Sequence, residues 1–232
     1  MFSAALAGLI VGLVISIAQF FGTVPLIQQS EVYERQAAAR HSAAHVHVSA
    51  AHEQSAAHSH EGEWEPEEGL QRNAFTVAAN ILTAIGFALL LTGVYAILGR
   101  QVTWREGLLW GLAGFTVFTA APGLGLPPEL PGMPVAELTA RQTWWIATAA
   151  ATAGGLCLLA FRPAAWAAVV GLALIALPHL IGAPLAPQSH SDVPAALSHR
   201  FIVVVTLTSL LFWALLGVAT SIAFERISRP QH

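Results

Sequence analysis

Six of the chain's ten histidines fall at His41, His45, His47, His52, His58 and His60, inside the run HSAAHVHVSAAHEQSAAHSHEGE of residues 41–63. Glu61, Glu63, Glu65, Glu67 and Glu68 follow at once. Imidazole nitrogen suits Co, Ni, Cu and Zn, whereas Mg and Ca sites are built from oxygen. A histidine-rich tract bordered by carboxylates therefore reads as a collector of a divalent transition metal. His41 and His45 share a face if the Ala-rich stretch is helical, and the pairs His45/His47 and His58/His60 offer two donors each even when extended. The competing reading is a solvated linker whose histidines bind nothing.

A second set of donors lies elsewhere. His179 follows Pro178 in LPHLIGAP, where the proline weakens the helical ladder and an ionisable group at membrane depth is a functional candidate. The sequence makes His179 the best single candidate for a site fixed by packed helices. His190, Asp192, His199, Glu31 and Glu34 are expected on the same face of the membrane, with Glu129 and Glu137 flanking a nearby loop. Together these would form a mouth; singly, each is ordinary surface charge. Catalytic signatures are missing from the sequence: there is no H-E-x-x-H, no G-x-S-x-G and, with no lysine in the chain, no P-loop. The chain is not expected to be an enzyme. Any energy for moving an ion must come from a gradient, a membrane potential or another subunit.

The elements that position these donors follow from composition. Over 232 residues the chain is 55% hydrophobic and 10% charged, with a mean hydropathy of +0.62, far from the soluble average of about 25% charged. It reads as an all-α, polytopic membrane protein in a lipid bilayer. The net charge of -3 and the lack of a basic stripe exclude a nucleic-acid partner. Cys157 is the lone cysteine, so no internal disulfide can form.

Apolar runs long enough to cross a hydrocarbon core of about 30 Å occur near residues 2–25, 74–98, 107–124, 142–161 and 201–224; a shorter one at 164–181 is interrupted by Pro178. The expected architecture is a bundle of about six transmembrane helices, with residues 1–27 as the first, 28–73 as a flexible His/Glu-rich polar loop, and 74–232 as about five more. The first span lacks a positive leading region and reads as an anchor rather than a cleaved signal. Its Ala4, Gly8, Gly12 and Ser16 recur every four residues, a spacing that invites close helix contact. Asn80, in the second span, must find a hydrogen-bond partner. The breaker-rich APGLGLPPELPG of residues 121–132 reads as a loop or re-entrant turn.

Six spans leave both termini on one side. Arg100, Arg105, Arg162, Arg226 and Arg229 then share that side, and Arg35, Arg40, Arg72, Arg141 and Arg200 the other. The positive-inside count is a tie. The shortness of the loops carrying the first group places that group in the cytoplasm and the histidine segment outside the inner membrane.

Several segments carry a resemblance that spans nearly the whole chain: PLIQQSEVYE, the His-rich insert, EPEEGLQR, GLLWGLAGF, APGLGLPPELPG with RQTWW, LPHLIGAP, VPAALSHRF and LFWALLG. In these the chain resembles the CbtA family of predicted cobalt transporter subunits. The resemblance implies uptake of cobalt(II) linked to cobalamin synthesis, and a small companion membrane subunit, CbtB, with histidines of its own. It ranks cobalt above nickel or another divalent transition metal. Three functions are consistent with the residues: a transport subunit whose insert collects the ion and whose bundle passes it, a membrane-anchored metal buffer or sensor, and a structural partner subunit. Homo-oligomerisation is open.

Overall fold

The computed structural model describes residues 2–48, 69–99, 101–187 and 191–228, with side chains described except at 41–48, 227 and 228. Among the described residues every regular element is helical. Five helical stretches are long and apolar enough to span a bilayer, and Ala165–Ile181 is a shorter apolar helix. Large apolar side chains such as Leu6, Ile10, Leu82, Leu172 and Leu207 face outward, as lipid contact requires.

Small residues decide how the helices pair. In α1 (Phe2–Phe21), Ala4, Gly8, Gly12 and Ser16 are all buried. They lie against α3 (Leu70–Leu98) so closely that a Cβ on Gly8 would sit 2.6 Å from the Ile85 Cα, and one on Gly12 2.7 Å from the Ile81 Cα. These are backbone contacts, which no rotamer change can relieve. The same device joins α4 (Trp104–Phe115) to α8 (Ala195–Ser228), where Gly107 and Gly111 meet Gly217. It also joins α6 (Leu138–Phe161) to α7 (Ala165–Ile181), through Gly155 and Gly171. Each pair is antiparallel, and α8 additionally packs on α1 and α3. Val11, Ile15, Ala88, Leu91, Tyr95, Val102, Trp213 and Leu216 form the resulting core.

Local sequence sets the ends. Thr103 and Glu106 form a reciprocal capping box at the start of α4. Gly99, in the left-handed region at φ 65°, closes α3. Between α4 and α5 (Ala121–Gly125) residues Thr116–Ala120 make a π-helical turn. Pro122 accounts for the turn: it has no N–H to donate, and widening the preceding turn eases the clash of its ring with the helix behind it. Pro178 does not interrupt α7, which runs on to Ile181; a proline in the last turn removes a single ladder bond, and the Gly182 N–H still reaches the Pro178 carbonyl at 3.0 Å.

The largest departure from the sequence reading lies after α1. The chain does not enter a loop at residue 28: beyond a one-residue turn at Gly22 it continues as α2, Thr23–Val48. Gln, Glu, Arg and Ala dominate this stretch and are strong helix formers, and the ion pair Glu31–Arg35 adds an i,i+4 contact of 3.5 Å. α3 likewise begins four residues before the expected boundary at 74. The rest of the insert, 49–68, lies outside the described residues.

A second, smaller core anchors the base of α2. Leu26 is buried against Leu130, Val193, Leu197 and Phe201, with Ile27, Tyr33 and Met133 packed around them. Leu130 and Pro131 belong to the breaker-rich run, whose first five residues are α5 and whose remainder, 126–132, is a loop at this end of the bundle. The Ser30 hydroxyl donates to the Pro131 carbonyl at 2.6 Å, and Gly132, at φ 79°, turns the chain beneath Glu34.

Candidate functional site

The donors expected at one mouth do gather at one end of the bundle, where α1 passes into α2, where α3, α6 and α8 begin, and where α7 ends. They do not form one cluster. Among the described residues no three His, Cys, Asp or Glu side chains converge on a point that could hold a metal.

Glu31 is the most embedded of them. Its carboxylate accepts a hydrogen bond from the Arg72 guanidinium at 2.5 Å and lies 3.5 Å from Arg35. The Arg72 hydrogen bond, reinforced by the charges of Arg72 and Arg35, outweighs burial and holds the carboxyl below its ordinary value of 4.5. Glu31, Arg35 and Arg72 line a cleft of about 410 Å³ with Gln19, Gln28 and Asn73. Glu34, one turn on, is exposed.

The remaining acids are occupied in architecture. Asp192 lies 3.5 Å from Arg40 and so ties α2 to the segment before α8. Glu129 forms an ion pair of 2.8 Å with Arg141, which joins the breaker-rich loop to α6. Glu137 caps α6: its carboxylate accepts from the N–H groups of Thr139 and Ala140, and these bonds hold it below its ordinary value.

His179 is half-buried, and its ring meets the edge of Trp144 at 5.8 Å and 73°. His199 is exposed near the start of α8. His41, His45 and His47 lie on the last turns of α2, with 41 and 45 one turn apart on the helix. His52, His58, His60 and His190 lie outside the described residues.

A polar cluster inside the bundle was only half visible in the sequence. Asn80 finds its expected partners on α1: its amide donates to the Ser16 hydroxyl at 3.1 Å and to the Gln19 side-chain oxygen at 2.8 Å. The sequence marks Asn80 as needing a partner; Gln19, near the end of an apolar run and one turn from Ser16, is the signal that would have identified it.

Comparison with known families gives one match: the model of a family described as probable cobalt transporter subunit (CbtA) covers residues 1–225. No curated protein and no solved structure matches the chain.

Proposed function

The chain belongs to the CbtA family, and from that premise we propose that it is the membrane subunit of a cobalt uptake system in which the histidine-bearing insert collects Co²⁺ and the helical bundle passes it. The observation that carries this reading is the family match over residues 1–225 of a chain folded as a membrane-spanning helical bundle.

Two features support the division of labour. The helix on which His41, His45 and His47 lie is docked on the bundle through Leu26, Ser30 and Arg40, so the first part of the insert is a short, fixed tether rather than a free one. Short tethering raises the effective concentration of a captured ion at the mouth. Glu31, Glu34, His179 and His199 stand at the same end as further donors, and His52, His58, His60 and His190 complete the candidate set. Imidazole also accepts Ni²⁺ and Zn²⁺, so selection belongs to the bundle and collection to the insert. The setting we propose is the inner membrane, with the insert outside, a small CbtB-like companion subunit, and cobalamin synthesis as the consumer of the ion.

Uptake of labelled Co²⁺ by cells with and without the chain, the companion present in both, tests the reading. Accumulation that depends on the chain is expected. Equal accumulation, combined with Co²⁺ binding by the purified protein, would replace transport with metal buffering.

A further inference from the structure

The α6–α7 pair is held firmly at one end of the molecule and lightly at the other. Within the pair the backbones touch: a Cβ on Gly155 would lie 2.5 Å from the Gly171 carbonyl oxygen, and one on Gly171 2.9 Å from the Gly155 oxygen. α4 and α8 are joined in the same manner, through Gly107, Gly111 and Gly217. Close backbone packing of this kind makes each pair move as a unit. α1 and α3 belong with α4 and α8, since α8 packs on both, whereas α6 and α7 pack on α5 and the π-helical turn.

At the insert end the attachments are strong. Glu129 pairs with Arg141 of α6 at 2.8 Å, and Leu130 of the same loop is buried with Leu26, Leu197 and Phe201. Val193 brings the segment between α7 and α8 into that same core. At the opposite end, Phe161 closes α6 and its ring meets Trp110 of α4 at 6.3 Å between centroids. Phe161 is 52% exposed, so this contact covers only part of the ring.

Between the two ends lies the π-helical turn. Its Phe118 stacks on Trp213 of α8 at 5.5 Å and 5°, and also meets Trp145 of α6 at 6.1 Å and 31°. Before the turn the chain follows α8; after it, α5 follows α6, with Gly125 directly against the Trp144 ring. A π-turn beside a proline that withholds a ladder N–H is where a helix axis changes direction at least cost. From Trp145 to Phe161, α6 reaches about 24 Å beyond this point at 1.5 Å per residue. A tilt of about 15°, typical of rigid-body transitions, carries the far end by about 6 Å.

We propose that α5, α6 and α7 form an arm that rocks on the π-helical turn against the body of α1, α3, α4 and α8, opening the seam between α6 and α4 at the end opposite the insert. Its purpose, release of the ion on that side, rests on the transport reading; its detection does not. In a Cys157→Ser background, nitroxide labels at Arg105→Cys and Arg162→Cys report the arm, and labels at Leu6→Cys and Arg105→Cys report the body alone. In lipid nanodiscs the first pair should show a second distance longer by about 6 Å, with a share that changes on addition of Co²⁺, while the second pair keeps one distance throughout. A first pair as narrow as the second, with and without Co²⁺, overturns the hinge whatever uptake does. Cysteines in place of Trp110 and Phe161, joined by a short reducible cross-linker, should lower maximal Co²⁺ uptake by about tenfold or more, and reduction should restore it. Unchanged uptake in the cross-linked protein overturns the role of the arm in passage. Absence of uptake by the unmodified chain overturns the transport reading and leaves the distances to decide the hinge.

Discussion

Glu31 and the histidines of residues 41–60 titrate in separate windows, and this separates architecture from metal capture. Only neutral imidazole binds metal, so Co²⁺ affinity should fall steeply between about pH 7.5 and about pH 5.5, around the ordinary histidine value near 6.5. Isothermal titration of the purified protein at the two pH values checks this; a flat affinity would remove the histidines as principal ligands. Glu31 behaves oppositely. Its folded-state value is lowered by Arg72, so its contribution to stability is complete above the unfolded value of 4.5 and is lost as pH falls through the lower folded value. Thermal stability in detergent should therefore carry no Glu31 contribution to its change between about pH 7.5 and 5.5, and should drop on the acid side of 4.5. Glu31→Gln should flatten that acid-side drop, because it removes the proton uptake that causes it. Melting curves of the two proteins across both ranges decide the point.

At the scale of elements, what the sequence disclosed depended on the strength of a local pattern. The four-residue stripe of Ala4, Gly8, Gly12 and Ser16 foretold a close helix contact, and α1 meets α3 through those residues. α2 was hidden because the alternation of histidine, alanine and serine resembles low-complexity linker, while the feature that stabilises its base is non-local: Leu26 and Ser30 meet Leu130 and Pro131 about a hundred residues away. No periodicity carries such a pairing. Leu130, only 3% exposed, should on replacement by Ala destabilise this docking by about 2–5 kcal/mol. Hydrogen exchange of the Thr23–Arg40 amides should then accelerate while α1 and α3 stay protected; uniform acceleration would mean that α2 is not a separate docked element. Removing the donors without the dock gives a different outcome. Deletion of residues 41–60 should raise the external Co²⁺ concentration for half-maximal uptake and leave the maximal rate largely intact, because it takes away collection and not passage. Loss of uptake at saturating metal would move the essential site into the insert.

The described helices form three antiparallel pairs: α8 joins α4 to α1 and α3, while the α6–α7 pair packs on α5 and the π-helical turn, and the start of α1 and the end of α8 come to the same end. Hydropathy made the apolar helices readable, five of spanning length and the shorter Ala165–Ile181 where about six spans were expected, but it could not show which polar residues would face one another: Ser16, Gln19, Asn80, Thr208 and Ser209 lie on three helices, and only the packing of α1, α3 and α8 gathers them. It could not fix orientation either, since arginine divides evenly between the two ends. The fold supplies a further argument. Arg35, Arg40, Arg72 and Arg141 at the insert end each have a carboxylate in reach, in Glu31, Asp192 or Glu129. That side also takes most of the chain's carboxylates in sequence order, which makes it acidic, and the collecting histidines must face the medium that holds the ion. The insert should therefore lie outside the cytoplasm. A cysteine placed at Ser49, with Cys157→Ser to remove the native thiol, should react in intact cells with a membrane-impermeant maleimide, and a cysteine in place of Arg162, between α6 and α7, should react only after lysis. The reverse pattern would invert the molecule and make the insert an intracellular acceptor of metal rather than its collector.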